Sequence, residues 1–169
     1  MKTTRLLMIF VFICFAISGC FGYRVGTLLP KELKTIHVPV FKNLTNEPNL
    51  ELRATNAVIE RLNRDGTLKT VPDRDKADSI LEATIIKYER KPVRFRGGSA
   101  PGEYRLTITV KATFINLETD KILWKDKLIS GEAEFIVSGS LPSSEAGALP
   151  AAFEDLAKDV VEAIVEGWQ

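Results

Sequence analysis

The chain has 169 residues, of which 45% are hydrophobic and 27% charged, and this is the composition of an ordinary globular protein. This length suits one domain and excludes two comfortable ones. The 23 basic and 22 acidic residues nearly balance, which argues against a nucleic-acid-binding protein.

Residues 1–19 have the features of a cleaved signal peptide. Lys2 and Arg5 are basic, and the uninterrupted apolar run Leu6–Ile17 follows them. This run is shorter than the roughly 20 residues that a helix needs to cross a bilayer, and it suits a signal peptide. An aliphatic residue and two small residues then precede Cys20, which is the lipobox pattern of bacterial lipoproteins. The pattern predicts that the Cys20 thiol receives a diacylglycerol and that the new amine is acylated.

Lipidation predicts that the mature protein stays on a membrane surface, because two or more acyl chains anchor a protein stably. Phe21 follows the cysteine, where the usual inner-membrane retention residue in enteric-type bacteria is Asp. We therefore expect the periplasmic side of the outer membrane. The alternative is an ordinary secretory signal in which Cys20 occurs by chance. Because Cys14 leaves with the signal peptide and Cys20 is capped, we expect no free thiol and no disulfide.

The mature chain is predicted to begin with a tether, residues 20–34, and to continue as one domain, residues 35–169. Thr35–Phe41 is predicted to be the first strand, at a sheet edge or ending at its proline, which cannot donate to a ladder. Apolar residues at helical spacing then predict a helix over Asn49–Asp65, with Asn49 as N-cap and Gly66 as C-terminal stop. Leu68–Val71 is predicted to be a short edge strand.

Three long strands are predicted next, forming an antiparallel meander. Ile80–Phe95 places Leu81, Ala83 and Ile85 on one side and Ile86 and Tyr88 on the other, and its phase weakens after Ile85, which indicates a bulge. Glu103–Asn116 is the clearest strand, since apolar and polar residues alternate strictly along it. Lys121–Val137 is the last strand, with a second bulge predicted at Gly131.

Ser138–Ala148 is rich in Ser, Gly and Pro and is predicted to be a mobile loop. The helical stripe from Leu149 to Trp168 then predicts a second helix that runs to the C-terminus. The fold class is therefore α+β. We expect a two-layer sandwich in which two amphipathic helices pack on one face of a roughly four-stranded mixed or antiparallel sheet, in the order β-α-β-β-β-α.

Two surfaces are candidates for binding. Residues 87–96 hold five basic residues and one acid among aromatic side chains. They could bind a lipid phosphate or a sugar acid, or they could be a solvated strand end. The polar side of Glu103–Asn116 could be an ordinary wet sheet face, or it could dock inside a water-filled β-barrel.

Catalytic chemistry is not indicated. The sequence contains no nucleophile-elbow, P-loop or H-E-x-x-H motif, and its carboxylates are scattered. His37 is the only histidine, so a metal cluster or a histidine-based triad is hard to build. We predict a non-enzymatic protein without metal or cofactor.

Several stretches together resemble the LPS-assembly lipoprotein family (LptE-like). They are the lipobox with Cys20-Phe21-Gly22-Tyr23, Thr35–Phe41, Ala54–Ala57, and Phe95-Arg96 running through the glycine-rich tip to Glu103–Val110. The resemblance implies a lipid-anchored sandwich that partners the outer-membrane LPS-assembly β-barrel of the LptD type, with an expected stoichiometry of 1:1. It also implies aid to barrel assembly and to the insertion of lipopolysaccharide into the outer leaflet.

The resemblance also implies site residues. In that family a basic residue in the hairpin before the Glu-Tyr strand is implicated in contact with lipopolysaccharide, and Arg96 occupies this place. Its basic neighbours extend the candidate site to Arg96, Arg94, Lys91 and Arg90. The candidate barrel-facing residues are Arg105, Thr107, Thr109 and Lys111. A second hypothesis is a periplasm-facing lipoprotein that regulates a cell-wall enzyme or contributes to a secretion pore.

Overall fold

The computed structural model describes residues 29–30, 32–96, 100–138 and 140–166. The predicted signal peptide, Cys20, most of the tether and Trp168 lie outside these residues. At the hairpin tip, the backbone of Arg96 is described as the last residue of its strand, whereas its side chain is not.

The described residues form a six-stranded sheet, which has more strands than the roughly four expected. The strands are β1 (Thr35–His37), β2 (Lys42–Asn43), β3 (Lys69–Thr70), β4 (Ser79–Arg96), β5 (Ala100–Asn116) and β6 (Lys121–Ile136). Their order is β3-β1-β4-β5-β6, and β2 also pairs with β4. The antiparallel meander of β4, β5 and β6 is confirmed, and the short strands add parallel pairings that make the sheet mixed.

The predicted first strand is shorter than expected, and a separate two-residue strand follows it. Its beginning is β1, which pairs with the start of β4 through His37 and Ile80, and the chain rejoins β4 only at Lys42, opposite Thr84. Pro39 lies between the two strands and has no N–H to donate. The predicted extent, Thr35–Phe41, was therefore wrong, whereas the prediction that the strand ends near the proline is confirmed.

The first helix, α1 (Leu50–Asp65), agrees closely with its prediction. It buries one stripe, consisting of Leu50, Ala54, Thr55, Val58 and Leu62. Gly66 ends it in the left-handed region, with φ 77°, and its N–H donates to the Leu62 carbonyl at 3.0 Å. Asn49 lies at the N-cap position, but it has φ 62° and its side chain makes no capping hydrogen bond. The predicted N-cap position is therefore confirmed, whereas the side-chain hydrogen bond that usually accompanies this residue type is not formed.

The second helix, α2 (Leu141–Val165), begins eight residues earlier than the sequence predicts. The Oγ of Ser140 accepts a hydrogen bond from the N–H of Ser143 at 3.3 Å, and Pro142 lies in the first turn. Serine before a helix and proline at its start favour initiation. The prediction of a mobile loop over Ser138–Ala148 was therefore wrong, because these residue types begin the helix rather than precede it.

Both helices lie on one side of the sheet and enclose the core. Along β5 the alternation is confirmed, because five apolar side chains at alternate positions are buried with 0% exposure: Leu106, Ile108, Val110, Ala112 and Phe114. From α2, Ala152, Leu156, Val160 and Ile164 reach the same core. The side chains of β5 between these apolar residues point to the other side of the sheet.

A bulge in β4 changes the side of the sheet to which the side chains of its second half point. The register shifts between Ile85 and Lys87, as the phase of the sequence indicates. Beyond the shift, Tyr88 is opposite Ile108 and Arg90 is opposite Leu106, so both lie on the helix side. The prediction that Tyr88 points to the polar side was wrong, because one extra residue exchanges the two faces of every residue after it.

Gly131 does not form the second bulge, and that prediction was also wrong. Gly131 is in regular register with Ile108, whereas the irregular pairing of β6 lies near Asp126, which has φ 52°. Gly131 instead lies where α2 comes closest to β6. A Cβ built on it would lie closer than 3.0 Å to the Ala152 carbonyl and to Leu156.

Candidate functional site

The side of the sheet away from the helices, which we name the open face, carries the polar residues of β5. Arg105, Thr107, Thr109 and Lys111 all lie there, between the buried apolar positions. Each of these four residues has a partner on the neighbouring strand β6. The partners are Glu134, Glu132, Ser130 and Asp126.

Most of these cross-strand pairs lie within hydrogen-bond distance. Arg105 Nη2 lies 2.6 Å from Glu134 Oε1, and Thr109 Oγ1 lies 2.9 Å from Ser130 Oγ. The hydrogen bond from Arg105 to Glu134, with the nearby charge of Glu132, raises the pKa of the guanidinium. The ion pairs of Arg105 and Lys111 are solvent-exposed, so they contribute little to stability and chiefly balance the charge of the open face. The uncharged Thr109–Ser130 pair is partly buried.

The basic end of β4 is divided between the two sides of the sheet. Lys87, Lys91 and Arg94 lie on the open face, while Arg90 lies on the helix side. Lys87 Nζ and Lys91 Nζ both lie 2.9 Å from Glu89 Oε2. These two hydrogen bonds are the main reason that the pKa of Glu89 is lowered. Glu89 therefore stays ionised and neutralises one of the two lysines.

The other two described cations of this segment are also paired. Arg94 Nη1 lies 3.1 Å from Glu103 Oε2, and Arg90 Nη1 lies 2.5 Å from Glu145 Oε2. The sequence counts five basic residues against one acid here, but three carboxylates contact the four described cations. An anionic ligand must therefore compete with these carboxylates, or use Arg96, whose side chain lies outside the described part of the molecule.

Glu145 is the acid that sequence reasoning missed. It is 8% exposed, and its Oε1 accepts a hydrogen bond from the hydroxyl of Tyr88 at 2.5 Å. Burial, together with this bond to a carboxylate, strongly raises the pKa of Tyr88, so the phenol keeps its proton and remains a donor. Glu145 lies in a Ser/Gly/Pro-rich segment that was predicted to be a loop, so no contact between it and the sheet was predicted. The only sequence indication is that an acidic residue follows a serine cap.

Within the described ranges, no group of three or more His, Cys, Asp or Glu side chains is arranged to hold a metal ion. No helix in the same ranges combines the length and the apolar character that crossing a bilayer requires.

These elements define a small α+β sandwich: two helices cover one side of a mixed sheet, and the open face with its cross-strand ion pairs forms the other. The model of the LptE family, described as lipopolysaccharide-assembly, matches residues 33–165. The chain therefore belongs to this family, and its general role is in lipopolysaccharide assembly. No curated protein matches the sequence.

Solved structures share the fold at low sequence identity. A hypothetical protein from Chlamydia trachomatis is 11% identical, with a TM-score of 0.59 over 80% of this chain and 99% of that one. A minor lipoprotein from Acinetobacter baumannii is 12% identical, with a TM-score of 0.53 over 80% and 94%. An uncharacterized lipoprotein B from Nitrosomonas europaea is 15% identical, with a TM-score of 0.52 over 86% and 87%. At such identities these similarities establish the fold alone.

Proposed function

We propose that this chain is a lipoprotein of a Gram-negative outer membrane, anchored on the periplasmic side through acyl chains on Cys20. In this proposal it forms a 1:1 complex with the LptD-type LPS-assembly β-barrel. It aids assembly of the barrel and insertion of lipopolysaccharide into the outer leaflet. Its role is binding rather than catalysis. Membership of the LptE family supports the lipopolysaccharide part of this proposal.

The observation that carries the barrel contact is the composition of the open face. Most of its described cations contact carboxylates. Arg105 and Lys111 contact Glu134 and Asp126 of the neighbouring strand, and Lys87 and Lys91 contact Glu89 of their own strand. The lumen of a large outer-membrane barrel is polar. A surface on which most cations are already paired can lie against such a wall while burying few isolated charges, which would be costly.

Photo-crosslinking in intact cells tests this contact. A photoreactive residue replaces Thr109 or Lys111 on the open face, and in a control it replaces Glu60, an exposed residue of α1. We expect a crosslink to a large outer-membrane barrel protein from the two open-face positions and none from Glu60. Crosslinking from Glu60 alone would show that the helical side faces the barrel and that our assignment of the open face is wrong.

For direct lipopolysaccharide binding, we propose Arg96, Arg94, Lys91 and Arg90 as the contacting residues. The charge reversals Arg96→Glu and Arg94→Glu are each expected to weaken binding of lipopolysaccharide to the purified protein. Lys121→Glu is the matched control, because it makes the same charge change at the opposite end of the sheet, where Lys121 pairs with Asn116. Equal binding by all three variants would exclude the basic end of β4 as the binding site.

Depletion of the protein distinguishes this function from the second hypothesis. Loss of lipopolysaccharide from the cell surface is the result expected for the proposed function. A cell-wall or secretion defect with normal surface lipopolysaccharide would instead support the periplasm-facing regulator or pore component.

A further inference from the structure

The first nine residues of α2, Leu141–Leu149, which we name the lid segment, are held to the domain less firmly than the rest of the helix. Only Glu145 and Ala148 are buried among them, whereas eight residues of α2 beyond the lid segment are buried. Pro150 follows inside the helix. A proline there has no N–H for the carbonyl four residues earlier, and its ring crowds that carbonyl. The helix is therefore weakest where the lid segment joins it.

Glu145 is the polar anchor of the lid segment. Its two carboxylate oxygens are each 2.5 Å from a donor on β4, namely the hydroxyl of Tyr88 and the guanidinium of Arg90. The Glu145 side chain is 11% exposed, but that of Arg90 is 39% exposed. Solvent therefore reaches the cation while the lid segment covers the carboxylate.

An apolar strip adjoins this anchor on the helix side of the sheet. Leu106 is opposite Arg90 across the β4–β5 pair and is fully buried. Tyr104, two residues before it, stacks on Phe135 of β6, with ring centroids 5.8 Å apart. A cation and a phenol thus lie beside three apolar side chains, and the start of α2 lies on the same side of the sheet.

We propose that Glu145 occupies the place of an anionic headgroup, and that the lid segment moves away to admit an anionic amphiphile. The headgroup binds to Tyr88 and Arg90, and the acyl chains lie on Tyr104, Leu106 and Phe135. The choice of a phosphorylated lipid as the ligand rests on the proposed function. A phosphate presents the same kind of oxygen acceptors as a carboxylate, so it can replace Glu145 at both donors.

The lid segment can open because it is too short to form a stable helix on its own. A detached helix of nine residues is not stable in water, so the lid segment is helical only while it is docked. The apparent affinity of the site for a lipid is its intrinsic affinity multiplied by the fraction of molecules in which the lid is open, so a mostly closed lid lowers it. Variants that loosen the anchor should therefore tighten lipid binding, and variants that stabilise the docked helix should weaken it.

The test uses the full-length purified protein and dihexanoyl phosphatidic acid below its micelle concentration, with binding measured by calorimetry. Glu145→Gln keeps the size of the side chain but removes its charge, and we expect about tenfold tighter binding. Gly147→Ala stabilises the docked helix at an exposed site where an added Cβ meets nothing within 4 Å. We expect it to weaken binding about two- to fivefold.

Arg90→Gln distinguishes the effect of opening the lid from the effect of removing a group that binds the lipid. It releases Glu145 as the first variant does, but it also removes the cation, so binding should be at least about tenfold weaker than in Glu145→Gln. Hydrogen exchange of the amides of residues 141–149 should be faster in both variants, and phosphatidic acid should accelerate it in the unmodified protein. The two variants should therefore both show faster hydrogen exchange but differ in their affinity for the lipid.

Dihexanoyl phosphatidylcholine and inorganic phosphate are the control ligands. The first has the same acyl chains with a zwitterionic headgroup, and the second has no chains, so both should bind more weakly than phosphatidic acid. If inorganic phosphate binds as tightly, the apolar strip takes no part and the proposal is overturned. Unchanged binding and unchanged exchange in Glu145→Gln overturn it as well. Neither result bears on the barrel contact, which the crosslinking experiment tests separately.

Discussion

Replacing Gly131 with alanine tests the closest contact between the two layers of the sandwich. Gly131 lies on β6 beneath α2, and a Cβ there would lie closer than 3.0 Å to the Ala152 carbonyl and to the backbone nitrogen and Cβ of Leu156. Two of these three atoms belong to the backbone of a helix, so no rotation of a side chain can relieve the clash. The strand and the helix must move apart.

The size of the effect follows from the packing around this contact. Ala152 and Leu156 are fully buried, so separating the layers loosens the core on both sides of Gly131. Overpacking a well-packed core costs about 1–3 kcal/mol, and a clash with backbone atoms places Gly131→Ala in the upper part of that range. For a domain of this size, a loss of about 2–3 kcal/mol lowers the Tm by roughly 6–15 °C.

Thermal unfolding of the purified protein, followed by circular dichroism and calorimetry, measures the change. Gly147→Ala is the matched control, since this glycine lies exposed in α2 with nothing within 4 Å of an added Cβ. Alanine is a better helix former than glycine, so the control should gain about 0.5–1 kcal/mol. If Gly131→Ala unfolds at the same temperature as the unmodified protein or higher, the close approach of helix and strand does not exist.

Other predictions concern a turn, a helix end and the open face. Burial by itself raises the pKa of Asp78, but hydrogen bonds from the backbone N–H groups of Lys34 and Thr35, each 2.8 Å long, bring it below its ordinary value of 3.8. A lowered pKa in the folded state stabilises the fold above the pKa of the unfolded chain. Asp78→Ala should therefore lose about 1–3 kcal/mol at pH 7 in urea unfolding, and the difference from the unmodified protein should narrow as the pH falls below that value. Gly66→Ala should lose about 1–2 kcal/mol in the same assay, because φ is 77° there; a neutral result would show that the helix end relaxes freely. Arg105→Ala should leave the stability nearly unchanged in the same assay, since its ion pairs are exposed, and a clear loss of stability would contradict a charge-balancing role.

Elements defined by a local pattern were predictable from the sequence. The strict alternation along β5 is an alternation of burial, and the end of α1 at Gly66 needs only the left-handed backbone that glycine adopts easily. The bulge after Ile85 was predictable in position, because the phase of apolar residues changes there. The side of the sheet on which Tyr88 lies was not predictable, since it depends on how β4 pairs with β5.

The candidate site was predictable in its residue types but not in its pairings. The basic residues before the hairpin are visible in the sequence, as are the polar residues of β5. The carboxylates that contact them come from β6 and from α2, and Glu145 is 55 residues from Arg90 along the chain. Charge counted along the sequence therefore overstated the charge that an approaching ligand meets.

The sequence by itself determined the periodic elements, the α+β class and the separation of an apolar from a polar sheet face, because these depend on side chains a few residues apart. Only the tertiary structure decided that β1 and β2 lie parallel to β4 and that Leu141–Leu149 is helical. It also decided that Gly131 is a point of contact rather than a bulge. These features depend on free energy gained between segments distant in the chain, and a local pattern of residue types does not contain that energy.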